Sequence, residues 1–217
     1  MKVLYTFLLS ESVLLPLIAG LVRFSRIGKG YRPFFTLIVI AALNEMISFI
    51  LIRGARLNNA IPYNLYSLIE WLLIAWQFAV WGLLRARRTF LYILVAMLSM
   101  VWVWEDLILG EITSYPPYFE VAYAFFIVLF SINIINFMIT HDFRNLFGHP
   151  TFLICIAFII YFIYGIITQW AYITSLGGVT STTRAIIMLI NYINALTNLI
   201  FAIAILRIPR PQRFTLG

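Results

Sequence analysis

Glu11, Glu45 and Glu70 each interrupt a long run of apolar residues. A carboxyl in such a setting can hold a cation or a protonated amine, or pass a proton, if its neighbours shield it from hydrocarbon. Left in lipid near the bilayer centre, the charge would cost about 2.5–3.5 kcal/mol on insertion scales. These side chains are therefore expected to face the inside of a helical bundle. Their sequence neighbours agree with that placement. Asn44 precedes Glu45 and Ser48 follows it within one helical turn, while Tyr63, Ser67, Glu70 and Gln77 recur at helical spacing along one face. Asn191, Asn194 and Asn198 form a second stripe, and Tyr161, Tyr164 and Thr168 a third. A fourth, Asn133, Asn136 and Thr140, is expected to join the same interior.

Stripes of Asn, Ser and Thr have an alternative role as interhelical glue, each contact contributing about 0.6 kcal/mol on average. Glutamine would serve that role at lower cost than glutamate, which singles out Glu45 and Glu70. The reading is a ligand or ion site built from Glu11, Glu45, Glu70, Asn44, Ser48, Ser67, Gln77, Asn191 and Asn194. Its occupant would be a small cationic ligand or a proton. Around it, Arg53, Arg56, Glu105, Asp106, Glu120 and Arg184 are expected as rim charges, with Glu105 and Asp106 close enough to the surface to be solvated. Two charge states follow for the inner acids. They pair with Arg53, Arg56 or Arg184 and stay ionised, or they carry protons.

Other chemistries lack their residues. The only histidines are His141 and His149, eight positions apart in one short link, so a catalytic zinc set is not expected. Cys155 is the single cysteine and reads as packing. Ser10 and Ser12 flank Glu11 without a histidine to activate either. The last apolar stretch contains no lysine for a retinal Schiff base, and no glycine-rich phosphate loop occurs. No catalytic residue, metal or cofactor is expected, and enzymatic activity is not the favoured reading.

The elements that must position the acids follow from composition. Of 217 residues, 63% are hydrophobic and 11% charged, against about 45–50% and 25% in soluble domains. A membrane helix needs about 20 mainly apolar residues. Seven stretches qualify: 3–22, 33–53, 62–84, 89–110, 117–140, 151–170 and 183–206. Proline at a first helical turn marks four of the starts, at Pro33, Pro62, Pro117 and Pro150. Residues 175–183, rich in Gly, Ser and Thr, are expected as the most mobile link. The first stretch carries Glu11 and lacks a small-residue cleavage site, so it reads as a span rather than a signal peptide.

The fold class is thus all-α, a polytopic integral membrane bundle of seven transmembrane helices in one domain, without a soluble domain. Cationic residues stay on the cytoplasmic side. Arg23, Arg26, Lys29, Arg32, Arg85, Arg87, Arg88, Arg144, Arg207, Arg210 and Arg213 fall on one side, against Lys2, Arg53, Arg56 and Arg184 on the other. That places the N-terminus outside and the C-terminus in the cytoplasm. Among the acids only Asp142 then falls inside. The net charge of +7 is accounted for by lipid headgroups, not nucleic acid. Trp and Tyr at span ends, among them Tyr63, Trp81, Trp102, Trp104, Tyr115, Tyr118, Trp170 and Tyr172, read as an interfacial belt.

Three functional readings remain. The first is a receptor-like sensory or regulatory protein whose outward acidic and aromatic pocket acts through a membrane or cytoplasmic protein partner. The second is a small proton or cation channel or transporter using its intramembrane carboxylates. The third is an accessory subunit of a membrane complex. Low charge and the absence of Asn-X-Ser/Thr sequons fit a bacterial inner membrane.

Overall fold

In a computed structural model the protein is described over residues 11–84, 88–141, 145–174 and 181–209. The expectations for residues 3–10 and 175–180, and for Lys2, Ser10, Arg85, Arg87, Asp142, Arg144, Arg210 and Arg213, lie outside the described residues. The described residues form seven helices longer than two turns and no strand. After a 3₁₀ turn at Glu11–Val13 come α1 (Leu14–Val22), α2 (Arg32–Phe49) and α3 (Ala60–Val80). Then follow α4 (Arg88–Trp102), α5 (Pro117–Thr140), α6 (Pro150–Thr174) and α7 (Ser181–Leu206). Two helices end in wider π-helical turns, α2 at Ile50–Ala55 and α4 at Val103–Ile108.

Among the described residues, five segments are long and apolar enough to cross a membrane: Arg32–Ala55, Arg88–Ile108, Pro117–Thr140, Pro150–Ala171 and Thr183–Leu206. Lone apolar side chains on their outer faces, such as Ile93, Met97, Met100, Phe125 and Ile132, suit contact with lipid tails. The other two expected spans differ for identifiable reasons. The described part of the first, Glu11–Val22, is a short apolar helix. The third, α3, spends four of its positions on Asn64, Ser67, Glu70 and Gln77, all of them buried. Its polarity is turned into the bundle rather than toward lipid.

The packing closes a ring. α1 lies against α2 and α7, α2 against α3, α3 against α5, α5 against α6, and α6 against α7, with α4 flanking α3 and α5. The two ends of the bundle are tied by different chemistry. At one end, the Tyr31 hydroxyl bonds Thr151 Oγ1 at 3.0 Å, and Arg207 donates to the Phe147 carbonyl. At the other, Tyr115 donates to Asn58 and Asn59 at 2.8 and 2.6 Å, and Asn64 donates to the Ile112 and Ser114 carbonyls. Between them, Phe34, Phe158 and Phe201 form a packed aromatic knot with ring centroids 5.1–6.2 Å apart.

Close approach of α1 to α2 depends on Gly20. A Cβ at this position would run into the Phe35 ring.

Candidate functional site

The 3₁₀ turn ahead of α1, together with α2, α3, α6 and α7, lines a cavity of about 420 Å³. Its acids come from three elements: Glu11 ahead of α1, Glu45 on α2 and Glu70 on α3. Ala55 ends the α2 extension and Ala60 opens α3, so Glu45 and Glu70 both lie ten residues from the same end of the bundle. At the α-helical rise that is about 15 Å deep for each. Asn44, Ser48 and Asn194 also line the cavity. Of the nine residues expected at a ligand site, these six are brought together.

The other three are placed elsewhere, Gln77 and Ser67 for reasons visible in their bonds. Gln77 accepts from the Phe34 backbone N–H at 2.8 Å and donates to the Gly30 carbonyl at 2.7 Å. It satisfies one of the amides that the first turn of α2 leaves unpaired, and fastens that turn to α3. Ser67 donates to the Asn64 carbonyl at 2.7 Å, a bond within its own helix. Asn191 is half-buried but lies outside the cavity lining, one turn nearer the end of α7 than Asn194.

Tyrosines supply what the acids by themselves do not. Tyr63, Tyr66 and Tyr161 line the same cavity. Tyr66 donates to Glu70 Oε1 at 2.9 Å, and Tyr123, reaching across from α5, donates to Oε2 at 2.8 Å. Each oxygen of this buried carboxyl therefore has a donor, which offsets the cost of removing it from water. A parallel set stands nearer the mouth, where Glu120 takes hydrogen bonds from Gln169 and Tyr63. Tyr63 thus serves the interior and not an interfacial belt. Trp102 likewise is buried, with its indole N–H on the Asn64 carbonyl at 3.0 Å. Trp104, Tyr118 and Trp170 are exposed, as belt residues would be. The pairing of Tyr63 with Glu120 and of Tyr123 with Glu70 has no signature in one helix's periodicity, because each joins two helices.

The rim departs from expectation. Glu105 and Asp106 are buried, at 2% and 1% exposure, and not solvated. The π-helical turn rotates both inward, and Glu105 accepts the Tyr118 and Phe119 backbone N–H groups at 3.0 and 2.7 Å. It caps the N-terminus of α5, where Pro116 and Pro117 leave no side-chain cap of their own. Glu120 is buried as well. Arg53 and Asn59 line the cavity near its open end, whereas Arg56 and Arg184 are exposed and outside the lining. Among the described residues, no ion pair joins Arg53, Arg56 or Arg184 to Glu45 or Glu70. The partners of Glu70 are hydroxyls.

Asn133, Asn136 and Thr140 are exposed on α5 and not part of the interior. The opposite face of that helix carries Ser131, Ile134 and Met138 into the core. Thr140 bonds back to the Asn136 and Phe137 carbonyls.

Away from its mouth the cavity ends on apolar side chains: Leu37, Ile38, Phe158 and Phe201. Behind them Phe34, Phe78 and Ile154 are almost wholly buried. The arrangement can take up a small molecule, place its cationic group among carboxyls and its hydrocarbon on aromatic rings, and stop it there. Among the described residues, no three His, Cys, Asp or Glu side chains gather as a metal site. Cys155 is fully buried in packing. No protein-family model, curated protein or solved structure matches this chain.

Proposed function

We propose that this is an integral membrane protein of seven spans, receptor-like, that binds a small organic cation in the cavity and acts through a separate membrane or cytoplasmic partner. The observation that carries the reading is the shared wall of Glu45, Glu70, Tyr63, Tyr66 and Tyr161. Carboxylates provide charge-assisted hydrogen bonds to a protonated amine, and ring faces attract the same charge. Arg23, Arg26, Lys29, Arg32, Arg88 and Arg207 stand at the end opposite the mouth. The bias of cations toward the cytoplasm supports a mouth facing outside. A bacterial inner membrane is the proposed setting.

The apolar floor supports binding over conduction. A proton or cation path would have to cross the packed rings of Phe34, Phe158 and Phe201.

The test is titration of the purified protein in detergent with n-hexylamine, read by calorimetry. Glu45→Gln and Glu70→Gln are each expected to weaken binding about tenfold, the loss of one charge-assisted contact. The same preparation in liposomes under an imposed potential is expected to pass no protons. Binding that is absent, or indifferent to both substitutions, overturns the reading. Proton flux abolished by either substitution would replace it with a channel or transporter.

A further inference from the structure

We infer that the ligand is dipolar, an ammonium group joined by a short apolar spacer to a carboxylate or similar anion, with the anion held at the mouth by Arg53. The inference rests on the amine reading and specifies its ligand class. Arg53 lines the same cavity as Glu45, on the same helix and eight residues nearer the open end. That separation is about 12 Å of helical rise. Neither deep carboxyl neutralises it, since among the described residues it forms no ion pair with Glu45 or Glu70. The cavity thus has carboxyls and tyrosines in its depth, a middle where Phe49 and Ile52 stand beside the hydrogen-bonded pair Ser48 and Asn59, and a guanidinium at its entrance.

For a plain amine this entrance is adverse, because the ligand passes a like charge before reaching the acids. A dipolar ligand reverses the sign of that contact. Its anion gains a fork of N–H donors while its ammonium reaches the carboxyls. Weaker binding of bare amines and tighter binding of the dipolar molecule then come from one side chain, the usual way a site builds specificity from a repulsive element. The opposed charges also fix orientation, ammonium inward. Simple carboxylic acids are repelled by Glu11, Glu45 and Glu70 and have nothing to gain beyond Arg53.

The experiment compares three probes on the full-length protein in detergent: ε-aminocaproate, n-hexylamine and hexanoate. Calorimetry is expected to rank them in that order, with ε-aminocaproate about five- to tenfold tighter than n-hexylamine, a partly exposed charge-assisted contact. Arg53→Gln is expected to abolish that preference and leave n-hexylamine bound as tightly as before or more so. Arg53 is exposed, so the variant should keep the wild-type melting temperature, which is measured alongside. Arg53→Lys is expected to restore part of the preference. If n-hexylamine and ε-aminocaproate bind alike and Arg53→Gln changes neither, the dipolar inference falls while the amine site stands. If no probe binds to folded protein, both fall together.

Discussion

Tyr123 on α5 places its hydroxyl 2.8 Å from Glu70 Oε2 on α3, and so joins two helices through a carboxyl buried to 7% exposure. The bond belongs to stability and to the site at once. It holds one of the two deep acids of the cavity wall in a fixed position, and Tyr66 does the same from within α3. On the proposed reading, an acid held in this way meets a ligand charge with less ordering than a free side chain would need.

A double-mutant cycle isolates that bond. Tyr123→Phe is expected to destabilise the protein by about 1–2 kcal/mol, and Glu70→Ala by more, since it strands two hydroxyls. Their coupling should be about 1 kcal/mol, at the upper side of what interhelical hydrogen bonds contribute in membranes. Melting in detergent of the two single variants and the double variant measures it. Additive effects would mean that the two residues act independently.

Glu105→Ala removes the side-chain oxygens that accept the Tyr118 and Phe119 N–H groups in the first turn of α5. The expected loss is about 1–2 kcal/mol, typical of a helix cap. Glu105→Gln keeps one acceptor and should recover roughly half of that loss. Affinity for n-hexylamine should be unchanged in both, because Glu105 does not line the cavity.

Gly20→Ala drives a methyl group into the Phe35 ring. Overpacking of this kind costs about 1–3 kcal/mol. The pair Gly20→Ala with Phe35→Leu is expected to regain part of the melting temperature lost by Gly20→Ala. A neutral Gly20→Ala variant would show that α1 can move away from α2 at no cost.

His149, just ahead of α6, is half-buried, and burial holds its pKa below the ordinary histidine value. The unfolded chain therefore binds a proton at a higher pH than the folded one does. The associated stability is fully present above the ordinary value near 6.5 and declines as pH falls through it toward the lower folded value. The prediction is a smaller drop in melting temperature between neutral and mildly acid pH for His149→Gln than for the wild type. Equal slopes would remove His149 as a source of the pH dependence.

The linear pattern of residues carries much of this architecture. Long apolar runs must leave water, and Pro33, Pro62, Pro117 and Pro150 stand in the first turns of α2, α3, α5 and α6, as their missing N–H allows. The common depth of Glu45 and Glu70 is legible too, since helical rise converts residue count into distance. Periodicity also groups residues onto faces, but it does not name the neighbour that a face meets. Gln77 and Glu70 share a face of α3, yet one meets the backbone of α2 and the other a cavity. The stripe Asn133–Asn136 looks like the stripe Asn194–Asn198, yet only the second turns inward. Wide turns at Val103–Ile108 shift the phase that a regular helix would keep, and so bury Glu105 and Asp106 against a count that leaves them at the surface. Composition and spacing determined which segments become helices and the matched positions of Glu45 and Glu70 along theirs. Which helices touch, and so which tyrosines reach the acids, was decided by side-chain packing between segments far apart in the chain, where no local period reports it.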